Sequence, residues 1–77
     1  NLDSASYFLN RSLTLNPGDI AIYKDLGIVY SMQGDYDKAM DIFSRGARID
    51  PGDQQIRQNI LITQQIMAQK KNQPGRR

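Results

Sequence analysis

The chain has no cysteine, histidine, tryptophan or glutamate among its 77 residues. Without cysteine, neither a disulfide nor a thiolate nucleophile can form. Without cysteine and histidine, the usual zinc ligands, the Ser-His-Asp and Cys-His catalytic groups and the histidine general base are all missing. We therefore expect a protein that is not an enzyme and that uses no cofactor and no metal ion.

Long apolar runs are missing as well. No stretch approaches the roughly 18 apolar residues that a membrane helix requires, and no signal-like segment is present. We expect no membrane partner, and the compartment stays open.

Three aspartates, Asp35, Asp37 and Asp41, have a spacing that superficially resembles a calcium-binding loop. A calcium loop needs a third ligand and then a glycine at the two positions that Ala39 and Met40 occupy here. Helix capping and a solvent-exposed helix face explain the three carboxylates better, so we expect no cation site.

The formal net charge of +2 comes from the C-terminal end of the chain. Four of the ten basic residues lie within residues 70–77, and the remainder carries six basic and eight acidic residues. We predict a mildly acidic folded body and a basic, disordered tail over 70–77. Nucleic-acid binding would depend on those four charges alone, so we expect no nucleic-acid partner.

The most informative pattern lies between Tyr23 and Pro51. Its first part places Tyr23, Leu26, Gly27 and Tyr30 at i, i+3, i+4 and i+7, and its second part places Ala39, Phe43, Gly46 and Ala47 in a similar stripe. Such stripes predict two amphipathic helices, over about 20–33 and 36–49. Between them, Gly34 can end the first helix in the left-handed conformation and Asp35 can cap the second.

The order of these residues resembles the signature of the tetratricopeptide repeat, with Tyr23 where tryptophan is usual. Residues 20–53 look like one complete 34-residue repeat, which is an antiparallel helix hairpin. The small residues Gly27 and Ala39 would let the two helices approach closely. The resemblance implies an all-α superhelix of stacked hairpins.

The same pattern recurs at an offset of 34 residues, most clearly in Pro17-Gly18-Asp19 and Pro51-Gly52-Asp53. We therefore predict a repeat domain over 1–69, in which residues 3–15 are the second helix of a preceding repeat and 54–69 form a C-terminal capping helix. Leu61 and Gln64 depart from the family pattern. Because the chain starts with Asn and inside a repeat, we expect a fragment of a longer protein.

The resemblance implies a function as a protein-binding scaffold. In the family, the first helices line a concave groove that commonly receives a peptide or helix of a partner protein. Carried over to this chain, the partner-binding residues are Lys24, Asp25, Ile28, Ser31, Gln55, Gln58, Asn59, Ile62 and Gln65. One subclass of the family holds a carboxylate with a Lys and an Asn one turn apart. Lys24 fits the first position, but Ile28 replaces the Asn, so we expect a neutral or mixed peptide instead.

Two alternatives remain open from the sequence. The repeats could stack on copies of themselves, or they could be a docking arm of a larger enzyme. A homo-oligomer could form through the helix at 3–15, which lacks the first helix of its own repeat. We expect some of Ala5, Leu9 and Ser12 to be uncovered there, with Leu2 beside them.

Overall fold

The computed structural model describes residues 1–71, which form four α-helices and no strand. The helices are α1 (Leu2–Leu15), α2 (Ile20–Met32), α3 (Tyr36–Ile49) and α4 (Gln54–Lys71). The predicted all-α, four-helix architecture is confirmed, and the first three helices agree with the sequence prediction to within one residue at either end.

The C-terminal end of α4 differs from the prediction. The helix was expected to end at Gln69, but it continues through Lys71. The residues after Gln69 are polar but include no Gly or Pro until Pro74, so helical geometry is tolerated there. Lys70 and Lys71 are therefore helical and do not belong to a disordered tail. The rest of the predicted tail, 72–77, lies outside the described residues.

Every helix begins after an Asn or Asp whose side-chain oxygen accepts a hydrogen bond from a backbone N–H of the first turn. These capping residues are Asn1, Asp19, Asp35 and Asp53. Each cap satisfies a donor that has no partner within the helix, and the three carboxylates also interact favourably with the helix dipole. After α2, Gly34 has φ +80°, and the Asp35 N–H donates to the Tyr30 carbonyl across 2.9 Å.

The core lies where α2, α3 and α4 meet. Its most deeply buried side chains are Leu26, Phe43 and Ile56, one from each of these helices. Thr63 is the buried polar residue among those described, and its hydroxyl donates to the Asn59 carbonyl across 2.7 Å. The buried hydroxyl is therefore satisfied within its own helix.

Gly27 lies directly against the ring of Phe43. A Cβ atom at residue 27 would lie 2.6 Å from Cδ1 of that ring, a separation that side chains do not adopt. The sequence prediction had paired Gly27 with Ala39, whereas the nearest side chain is that of Phe43, which fills the space that the glycine leaves. The absence of a side chain at Gly27 therefore leaves room for an aromatic ring between the two helices.

The four helices pack in the order in which they occur in the chain, and they differ in how many neighbouring helices they contact. α2 and α3 each contact two or more helices, whereas α1 contacts only α2 among the described residues. Phe8 on α1 is therefore 65% exposed, while Ile42, at the repeat-related position of α3, is 4% exposed. The residues of which some were predicted to be uncovered, Leu2, Ala5, Leu9 and Ser12, are all partly buried. The exposed large apolar side chains of α1 are Tyr7, Phe8 and Leu15.

None of the helices within residues 1–71 has both the length and the apolar character that crossing a bilayer requires.

Candidate partner-binding groove

A groove of about 550 Å³ lies between α2 and α4. Its lining consists of Ala21, Lys24, Asp25, Ile28, Gln55, Gln58 and Asn59. On α2 these residues recur at i, i+3, i+4 and i+7, and on α4 they recur at i, i+3 and i+4, so each set occupies one face of its helix. That face is distinct from the one that buries Tyr23 and Leu26 in the core.

Six of the nine partner-binding residues predicted from the sequence line this groove, namely Lys24, Asp25, Ile28, Gln55, Gln58 and Asn59. Ser31, Ile62 and Gln65 do not line it. Ile62 lies one turn beyond Asn59 on the same face of α4 and is 52% exposed. That any of the nine contacts a partner stays a prediction.

Lys24 is held within the molecule. Its ammonium donates to Oδ2 of Asp53 across 2.9 Å and to Oε1 of Gln55 across 3.0 Å. The ion pair joins the middle of α2 to the N-cap residue of α4 and is mostly shielded from water. Two of the three donors of the ammonium are therefore already used within the molecule.

Asp53 is the residue of this site that the sequence analysis missed. It was recognised there only as part of a turn, although the 34-residue repeat places the start of α4 beside α2. The N–H of Ile56 donates to its Oδ1 across 2.9 Å, and this bond, followed by the one from Lys24, holds the pKa of Asp53 below its ordinary value of 3.8. The carboxylate is therefore ionised near neutral pH.

A family model for the tetratricopeptide repeat matches residues 1–59, which include α1, α2, α3 and the start of α4. The chain belongs to the tetratricopeptide repeat family. Such repeats generally mediate protein–protein interactions and are typically parts of non-catalytic scaffolds. No curated protein matches the chain.

Two larger clefts lie at the helix ends of the tetratricopeptide hairpins. One, of about 840 Å³, lies between the start of α3 and the end of α4, and the other, of about 830 Å³, lies between the start of α1 and the end of α2. Tyr30 lines the second cleft, and its hydroxyl oxygen accepts a hydrogen bond from the side chain of Asn10. Because the two clefts are related by the repeat, we attribute both to the packing of the helix hairpins.

The three aspartates with calcium-like spacing do not converge on one point. Asp35 caps α3, and Asp41 lies 3.8 Å from Arg45 one turn further along that helix. Within residues 1–71, no group of three metal-ligating side chains is close enough to hold an ion.

Proposed function

We propose that this tetratricopeptide chain is a non-catalytic interaction module that binds a segment of a partner protein in the groove between α2 and α4. The observation that carries the proposal is the pair Ile28 and Ile62. They are 44% and 52% exposed and are separated by one repeat length. Ile28 lines the groove among mainly polar residues, and Ile62 lies one turn beyond it on α4.

A bound segment would gain free energy from both isoleucines, because removing apolar surface from water is favourable. The amides of Gln58 and Asn59 offer donors and acceptors to the backbone of such a segment. Apolar anchors with amide contacts in between suit an extended or helical peptide better than a small polar ligand.

The test begins with a library of random twelve-residue peptides displayed against the whole chain. The affinities of the selected peptides are then measured for the wild type and for the Ile28→Gln, Ile62→Gln double variant. We expect affinity to fall about tenfold or more, because two partly buried side chains together contribute on the order of 2 kcal/mol.

The control is the Leu15→Gln, Ile49→Gln double variant. These two residues are also exposed, apolar and one repeat apart, but they lie on α1 and α3 and not on the two helices that form the groove. Circular dichroism and urea unfolding check that both variants are folded. If the two double variants bind equally well, or if no peptide is selected, the groove is not the binding site.

We also propose that α4 ends the repeat stack, as the predicted domain boundaries imply. Leu61 is at the position related by the repeat to Gly27, and it is 58% exposed. In a further repeat, an aromatic ring would pack on α4 as the Phe43 ring packs on Gly27 of α2. That ring would collide with the side chain of Leu61. The test replaces the chain after Ile66 with a copy of residues 33–50, which supplies a second helix for α4. Hydrogen exchange should show that the added helix is unprotected in this variant and becomes protected when Leu61→Gly is also made. Protection with Leu61 present would contradict a capping role.

Self-association is the second candidate function. Phe8 and Leu15 lie seven residues apart on one face of α1, and both are exposed. Antiparallel pairing of α1 with α1 of a second copy would bury both residues in each chain. Light scattering over a concentration series should then show a dimer that Phe8→Lys converts to a monomer. A wild type that stays monomeric at high micromolar concentration would exclude this candidate.

A further inference from the structure

The charges of the groove identify the kind of segment that it accepts. Lys24 and Asp53 neutralise each other across 2.9 Å. Asp25 is exposed, and no cation of the described residues lies within ion-pair distance of it. The groove therefore carries one negative charge that has no partner in residues 1–70.

From this arrangement we infer that the groove binds a protein segment in which a Lys or Arg lies close to an apolar side chain. Asp25 receives the cation, and Ile28, one turn further along α2, receives the apolar group. The inference rests on the function proposed above and adds the charge of the partner to it.

An acidic segment is disfavoured for a specific reason. Its carboxylate would approach Asp25 and the Asp53 carboxylate that already holds Lys24. Capturing the lysine would leave Asp53 ionised without its partner, because the Ile56 N–H continues to stabilise its charged form. Repulsion between these like charges opposes binding.

The basic segment has no such cost. Its cation can reach the exposed carboxylate of Asp25 without breaking an existing ion pair. An exposed pair of this kind changes the affinity by up to about fivefold at low salt, and the effect decreases as salt screens the charges.

The peptides selected on the whole chain provide the test. We expect them to be enriched in Lys and Arg, and we expect Asp25→Asn to weaken their binding by up to about fivefold at low ionic strength. Asp25→Lys should weaken it further. Asp37→Asn, which removes an exposed carboxylate of α3 outside the groove, should leave binding unchanged.

The outcomes separate this inference from the proposed function. Selected peptides that are acidic, or that bind Asp25→Asn as well as the wild type while still requiring Ile28 and Ile62, overturn the charge inference and leave the groove as the site. Peptides that bind without requiring the two isoleucines overturn the proposed function itself. Unfolding curves of each variant establish that the fold is intact.

Discussion

Lys24 and Asp53 lie 29 residues apart in the sequence and form an ion pair with 2.9 Å between Nζ and Oδ2. The second carboxylate oxygen of Asp53 caps α4 through the N–H of Ile56. One side chain therefore starts α4 and connects it to α2. Because these two helices form the sides of the groove, the pair helps to set the distance between them.

The hydrogen bond from the Ile56 N–H and the ion pair with Lys24 together make stability depend on pH. The pKa of Asp53 is lowered in the folded chain, so its stabilising contribution is complete above the ordinary value of 3.8 and is lost as pH falls through the lower, folded value. We expect urea unfolding to show wild type more stable than Asp53→Asn at pH 7, with the difference shrinking below about pH 4. Asp41→Asn, which alters an exposed pair with Arg45, serves as the control. A difference that is constant down to pH 2 would contradict this assignment.

The contact between Gly27 and Phe43 predicts a destabilised Gly27→Ala variant. The added methyl group has no room beside the buried ring. Overpacking costs about 1–3 kcal/mol, whereas replacing a helical glycine by alanine gains about 1 kcal/mol in helix propensity. We expect the packing cost to be near the upper end of its range and so to exceed the gain. A double-mutant cycle in urea unfolding with Phe43→Leu should show that the penalty shrinks when the ring is removed. Equal penalties in both backgrounds would mean that another neighbour limits the space.

The end of α2 predicts a second glycine effect with a different origin. Gly34 has φ +80°, and nothing lies within 4 Å of a Cβ placed there, so the cost is in the backbone and not in packing. Gly34→Ala should lower the free energy of unfolding by about 1–2 kcal/mol, and Gly34→Asn by less, since asparagine adopts this conformation more readily. Gly18→Ala, also without close neighbours but without a positive φ, should be close to neutral. Similar losses at both glycines would refute the explanation.

The hydroxyl of Tyr23 connects α2 to the preceding turn. It donates to the Pro17 carbonyl across 2.6 Å in a partly buried position. Tyr23→Phe leaves that carbonyl without its donor, and we expect a loss of about 1 kcal/mol in the free energy of unfolding. Tyr7→Phe is the matched control, because the Tyr7 hydroxyl is paired with Arg11 at an exposed site. An unchanged unfolding midpoint in Tyr23→Phe would show that water replaces the bond.

The local pattern of the sequence was sufficient to predict the helices and the turns between them. Asp35 was recognised as a cap and Gly34 as a helix end, because each of these roles depends on residues within four positions along the chain. The repeat offset of 34 residues then placed the helices in order. The resemblance to the family indicated which face of α2 and of α4 borders the groove, although not what a partner contacts there.

Only the tertiary structure decided which side chains meet. The sequence marked Lys24 as a groove residue and Asp53 as part of a turn, but their ion pair depends on how closely α2 and α4 approach. In the same way, Gly27 was identified as a close-contact position, yet its neighbour proved to be Phe43. Periodicity defines the face of a helix, whereas the rotation and offset of two packed helices determine which residues of those faces touch. That geometry arises from the fit of all the core side chains together and cannot be derived from any one stretch of the chain.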